Sequence, residues 1–505
     1  MQLLPLPVSA ALALAACLPA APAWAELKLG TLFGPGMVVQ ADRPVPVFGT
    51  DEPGTPVTVA VRGAGVEADV EAEADEEGVW RVRLPALEAP GPYSVVVSTD
   101  DETVELEDVL AGDVWLCSGQ SNMGWPVSKS RDGGRAAAAS EDGQLRLLKV
   151  PLRGSPTPVD RLDVGWQAAG PATVGDFSAV GYYFGRALRR ETGRPIGLVQ
   201  SAWGGSKIRA WLPDGQIEAS GRGDQIRGES RRQRRDYERR LAAWRDGGKK
   251  GPRPKPLGGG PNHRPAWLYN AMIHPLGDVP LAGVIWYQGE SDAYQPEPYA
   301  RLFDLLVGSY RGQFADGRDD VSLPVYFVQL PNFKHKNGNL WRAFRERQRQ
   351  TAAPDGDGVD MAVTIDVGDP DDIHPADKRP VGERLARLAL RDVYGQDVLA
   401  DSPEPTAVVR QGAAVRVSLD AAGAGLSTVD DRPPQGFVLV DADGTTAEAE
   451  AEVVAPDAVL LRAATVSAPV EVRYAWEADP DVNLVNAAGL PVTPFVEPVD
   501  GSPTE

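Results

Sequence analysis

Between residues 111 and 400 the chain alternates apolar runs with amphipathic helical patterns, a rhythm that admits few architectures. Five runs, 113–117, 196–201, 281–287, 324–329 and 360–365, have the length of strands rather than helices. The segments "AVGYYFGRALRRET" (179–192), "YARLFDLLVGSYRGQF" (299–314) and "WRAFRERQRQ" (341–350) fall between them with helical spacing. Uninterrupted apolar strands separated by helices predict an α/β layer fold with a buried parallel sheet. Such sheets take their ligands at the carboxyl ends of the strands.

The flanks read differently. Residues 26–110 carry short Val-rich runs (Val45–Phe48, Val57–Val61, Val79–Leu84, Tyr93–Val97) separated by Gly, Pro and Asp, the pattern of a β-sandwich. Residues 401–505 return to alternating β runs at 406–418, 436–440, 451–462 and 469–475. A polar insertion, 213–262, interrupts the central rhythm. Its segment 227–245 is rich in arginine, but Tyr237, Leu241 and Trp244 lie at i, i+4 and i+7. That stripe predicts a surface helix with a solvated charged face, followed by a Gly/Pro/Lys loop.

Met1–Ala25 has no charged side chain, is rich in Leu and Ala, and ends Ala23-Trp24-Ala25, which reads as a cleaved export signal. The alternative is lipid attachment at Cys17, in Leu14-Ala15-Ala16-Cys17. Either places the protein in the periplasm or outside the cell. Cleavage after Ala25 leaves Cys117 as the one cysteine, so no internal disulfide is expected. No later stretch reaches the ~20 apolar residues of a membrane span. The net charge of −20 argues against a nucleic-acid partner, though not against an anionic small substrate.

The first central run, Val114–Cys117, ends in Ser118-Gly119-Gln120-Ser121-Asn122. A turn explains such a cluster, and so does a serine nucleophile held at a strand's carboxyl end. A serine nucleophile needs a base. Of four histidines, His263 lies in the exit of the insertion, His274 in an apolar segment and His335 in a polar loop. His374 follows the fifth run, in "IDVGDPDDIHPADK", with Asp371 three residues before it. That spacing brings a carboxylate to one imidazole nitrogen and leaves the other for the serine. Two further strand ends offer oxyanion donors: Gly204 and Gly205 in "SAWGGSK", and the Gln288 amide in "WYQGESD". G-x-S-x-G is absent, as are paired-His zinc spacings and the Gly-rich nucleotide loops. No metal and no cofactor is expected.

In order along the chain, "GDVWLCSGQSNM" (112–123), "WGGSKIRAW" (203–211), "LYNAMIHPL" (268–276), "GVIWYQGESD" (283–292) and "DIHPADK" (372–378) resemble the sialate O-acetylesterase family of SGNH/GDSL-type hydrolases. "VRYAWEADPDVNLVNAAGLPVTPF" (472–495) resembles that family's ending, so the similarity spans nearly all of the chain after residue 25. The resemblance implies a three-layer α/β/α core at 111–400, with a five-stranded mostly parallel sheet between β domains at 26–110 and 401–505. It implies a cofactor-free serine esterase acting on O-acetylated sugars, sialic acids or plant hemicelluloses such as xylan and xyloglucan. By carry-over Ser121 is the nucleophile and His374 the base. Asp371 is the orienting acid, with Asp372 and Asp369 close enough to compete. The N–H groups of Ser121 and of Gly204 or Gly205, with the Gln288 amide, form the oxyanion hole, and Glu290 supports the site from behind. A helix is expected to start near Ser121. Arg209 stands where many relatives carry a carboxylate, a difference that is either neutral or alters the sugar pocket. The other classes considered are a carbohydrate-binding protein with a degenerate hydrolase site, which the Ser/His/Asp set disfavours, and a lipase or thioesterase, for which no apolar lid stands out.

Overall fold

The computed structural model describes residues 26–255, 260–315, 323–352, 357–420 and 425–500. The expected export segment and part of the loop after the insertion's helix lie outside them.

Seven strands build the sheet that carries the site: Thr103–Gly119 (β1), Asp142–Lys149 (β2), Gln167–Ala169 (β3), Ile196–Ala202 (β4), Gly283–Tyr287 (β5), Val325–Val328 (β6) and Val359–Ala362 (β7). Their order is β3-β2-β4-β1-β5-β6-β7, with β3 antiparallel and the other six parallel. The five expected strands are all present, and β2 adds a sixth parallel one. Arg146 and Lys149 break its apolar run. In the sheet Arg146 is nonetheless buried, donating to Gly143 O at 2.6 Å and pairing with Asp108 at 2.7 Å. The result is an α/β fold with a large mixed sheet and additional β regions.

Helices Ala179–Thr192 (α1), Gly223–Asp246 (α2), Tyr299–Phe314 (α3), Gly338–Arg349 (α4) and Arg379–Asp392 (α5) are the main connections. Helix α1 begins at Ser178, whose hydroxyl accepts from Gly181 N–H at 3.0 Å and donates to Met123 O at 2.6 Å. One side chain thus caps a helix and fastens the segment after the expected nucleophile. Helix α1 packs on α5 closely enough that a Cβ at Gly382 would lie 2.7 Å from Val180 O, so only glycine fits there. Among the described residues no helix is long and apolar enough to cross a membrane.

Strand β1 is 17 residues long and serves two regions. Up to Asp108 it is mostly exposed and pairs antiparallel with Tyr93–Ser98; from Val109 onward every residue is buried between its neighbours. The boundary expected at 110/111 falls inside this strand. Strands Pro56–Gly63 and Val66–Glu73 extend the same sheet, while Pro44–Thr50 pairs with Lys28–Leu29 and Val79–Ala86 in another.

The C-terminal strands form two four-stranded sheets and one two-stranded sheet. They lock onto the central part through Arg345 of α4. Among the described residues its buried guanidinium has no carboxylate partner, and it donates instead to the carbonyls of Ala475 (3.2 Å), Ala478 (3.3 Å) and Glu477. Asn332 continues the contact, donating to Asp479 at 2.9 Å and accepting from Gly368 N–H at 2.8 Å.

Candidate active site

Parallel register gathers the functional loops at one edge. Gly119 pairs with Ala202 of β4 and with Tyr287 of β5, so the segments after β1, β4 and β5 leave the sheet side by side. Gly119 has φ +135°, and a Cβ there would overlap the Tyr287 carbonyl oxygen; this sharp exit requires glycine. Residues 121–123 form a turn rather than the expected helix, closed by Gly124 N–H to Gln120 O at 2.9 Å.

Ser121 Oγ lies 2.9 Å from His374 Nε2, the separation of a nucleophile and its base. Ser118, the other serine of the cluster, is fully buried within β1 between Ser201 and Trp286 and cannot meet a substrate. The Trp125 ring stacks on the imidazole, with centroids 5.0 Å apart and planes 11° from parallel. Burial, and secondarily the charge of Lys378, hold His374 below its ordinary pKa, with Asp372 opposing them. Both influences favour the neutral imidazole.

The carboxylate beside the imidazole is that of Asp372. The Asp371 side chain is 85 % exposed and its nearest cation is Lys334 at 4.0 Å. Asp372 instead accepts from His374 N–H at 2.8 Å, with the same oxygen 3.8 Å from His374 Nδ1. Asp369 accepts from the N–H groups of both Asp371 (2.9 Å) and Asp372 (3.2 Å), which fixes the turn that carries the two carboxylates.

Gly204 sits against the serine: a Cβ on it would be 3.3 Å from Ser121 Cβ. Gly205, at φ +69°, makes the turn that allows this approach. Among the described residues, the N–H groups of Ser121, Gly204 and Gly205 have no protein acceptor. Gln288 does not join them. It is fully buried, and its amide nitrogen donates to Ser206 O (3.0 Å) and Asp292 (2.7 Å), so both donors are used in holding the Gly-Gly loop. Arg209 is committed to the insertion. It is buried beneath α2, bonded to Glu229 (3.0 Å), Gln233 (3.2 Å) and His263 O (3.1 Å), and staples the insertion to the core.

Glu290 is buried behind the serine and accepts from Asn122 Nδ2. That amide also donates to Ile373 O at 3.0 Å, while Lys378 Nζ donates to Asn122 Oδ1 at 2.5 Å. Asn262 Nδ2 donates to Gly204 O at 3.0 Å. Asn122, Lys378, Asn262 and Trp125 were not singled out from the sequence. Asn122 and Lys378 lie within the quoted blocks "GQSNM" and "DIHPADK", and that placement was their one signal. The remaining histidines stay away from Ser121: His335 stacks on Trp341 with centroids 5.2 Å apart, His274 leans on Tyr269, and burial pushes His263 down to about 4. Among the described residues, no three His, Cys, Asp or Glu side chains converge as a metal site.

A family model described as carbohydrate esterase, sialic acid-specific acetylesterase, matches residues 111–225 and 258–391. The sialate O-acetylesterase of Mus musculus is 34% identical over 386 residues, covering 69% of this chain and 70% of that protein. The Homo sapiens sialate O-acetylesterase is 32% identical over 393 residues, covering 71% and 69%. Among solved structures, a carbohydrate acetylesterase from Xanthomonas citri is 38% identical, with a TM-score of 0.79 over 94% of this chain and 99% of that one.

Proposed function

Since the chain belongs to the sialic acid-specific acetylesterase family of carbohydrate esterases, we propose that it deacetylates sugars by a two-step acyl transfer with Ser121 as nucleophile and His374 as base. The observation that carries this is the 2.9 Å approach of His374 Nε2 to Ser121 Oγ at the carboxyl edge of the sheet. His374 takes the hydroxyl proton as Oγ bonds to the acetyl carbonyl carbon. The N–H groups of Ser121 and Gly204 receive the negative oxygen of the tetrahedral intermediate. The bond from carbon to sugar oxygen then breaks, and His374 returns the proton to that oxygen. Water attacks the acetyl-enzyme, giving its proton to His374, and acetate leaves as Ser121 regains its hydrogen.

The same reading extends to the finer architecture and location. The core is a three-layer SGNH-type hydrolase domain flanked by β domains, and the protein is exported with Met1–Ala25 removed. The substrate is an O-acetylated sialic acid. Acetate release from O-acetylated sialic acids, acetylated xylan and acetylated xyloglucan tests this. Release from the sialic acids is expected. Release from the plant polymers alone would reassign the sugar, and none from any sugar would overturn the reading.

Asp372, not Asp371, is the acid that orients His374. Asp371→Ala is expected to leave kcat within about threefold, as for a solvated surface carboxylate. Asp372→Ala should lower kcat by about 10- to 100-fold, less than the ~10⁴ typical of a buried triad acid, because Asp372 is half exposed. Steady-state hydrolysis of an aryl acetate measures both. A larger loss in Asp371→Ala would restore the original assignment.

A further inference from the structure

Three groups behind the serine do nothing in the mechanism above, yet they join its two halves. Lys378 is 1 % exposed and Glu290 6 %, and each bonds to the same fully buried amide, Asn122. The cation holds the amide oxygen and the anion its nitrogen, so the amide has one orientation. In that orientation its second N–H reaches Ile373 O at 3.0 Å. Asn122 follows Ser121 directly, Ile373 precedes His374 directly, and Lys378 comes four residues after it. The bridge thus grips the histidine loop on both sides and ties it to the nucleophile turn.

Stability alone does not call for this arrangement. Buried ion pairs can often be replaced by apolar residues at no loss. Lys378 also sits at the start of α5, where the helix dipole disfavours a cation. Burial pushes the amine down to about 7, with Glu290 the main group opposing the shift, and raises Glu290, with the Asn122 bond opposing. The Tyr287 ring, 5.5 Å from Nζ, is the other partner of the ammonium.

We propose that Lys378 and Glu290 act through Asn122 as a positioning bridge that sets His374 against Ser121. This rests on the Ser121–His374 reading. The charged groups around His374 are Lys378 and Asp372 in its own segment, Glu290 from the loop after β5 through Asn122, and Lys129, which lies over the stacked Trp125 ring at 5.6 Å. Lys378 is the buried cation among them. Removing it relaxes the loop and also removes a charge that disfavours imidazolium.

The test compares Lys378→Met, Glu290→Gln, the double variant and Ser121→Ala as full-length proteins. Each is read by kcat and KM across pH on an aryl acetate and by ¹⁵N-histidine NMR, which has only four histidines to resolve. Lys378→Met is expected to lower kcat by about 10- to 100-fold, the scale of a small misplacement of reacting groups, with KM within about twofold. Its acid limb, and the His374 titration, should move to higher pH. Glu290→Gln should lower kcat without that upward move. If Lys378→Met fails to fold, the double variant, which buries no unpaired charge, carries the same expectation for kcat and the acid limb. Wild-type kcat, or a loss with the acid limb and His374 titration unmoved, would overturn the bridge. If Ser121→Ala is inactive while Lys378→Met behaves as wild type, only the bridge falls. Activity in Ser121→Ala would remove the reading beneath it.

Discussion

Ser121→Ala is expected to lower deacetylation by about 10⁶-fold with an unchanged melting temperature. Alanine deletes the one atom, Oγ, that stands 2.9 Å from His374 Nε2 and can bond to an acetyl carbon. The turn survives, because the Gly124 N–H to Gln120 O bond and the Ser178 cap do not involve that hydroxyl. Ser118→Ala, at a buried position with no reach to solvent, should keep most of its activity. More than a small fraction of wild-type turnover in Ser121→Ala, with contaminating esterase excluded, would discard the nucleophile assignment.

His374→Ala is the second large effect, again about 10⁶-fold in kcat, because a nucleophile without its base loses nearly what the whole set loses. The double variant Ser121→Ala/His374→Ala should be no worse than either single one. Independent roles would instead multiply the losses. In the wild type, activity rises with pH as His374 loses its proton. Burial and Lys378 hold its pKa below the ordinary 6.5, so the midpoint of the acid limb of kcat/KM belongs below that value. A midpoint above 6.5 would contradict a base in this environment. Measuring kcat/KM for wild type between pH 4 and 8, alongside single-turnover rates for the variants, checks both statements.

The strands that carry the site were legible because their environment is uniform. A parallel strand covered on both faces needs apolar side chains at every position, and Val114–Cys117 and Gly283–Tyr287 show it. Strand β2 was not legible because Arg146 is accommodated by Gly143 O, Gly36 O and Asp108, partners that the fold brings together. At the site, Ser121 and His374 stood out as polar residues in the segments that follow such strands. Their helpers did not, because a residue type does not state where its donors point. Gln288 and the Gly204 N–H were equal candidates for the oxyanion, and only the bonds to Ser206 and Asp292 separate them. Asp371 and Asp372 are neighbours, and the turn held by Asp369 decides which faces the imidazole. For Arg209 the sequence left a neutral role and a part in the sugar pocket equally open, and its bonds to Glu229 and Gln233 of α2 are long-range contacts that it does not state.

Strand β1 passes without a break from the N-terminal sheet to the Gly119 exit that precedes Ser121. Two regions that share one strand have no linker between them, so neither can swing relative to the other without breaking ladder hydrogen bonds. The N-terminal β region is therefore unlike a tethered sugar-binding module, which searches a volume around its enzyme. It is a fixed outrigger, and any surface it offers to a long glycan would hold that glycan at one angle to the cleft.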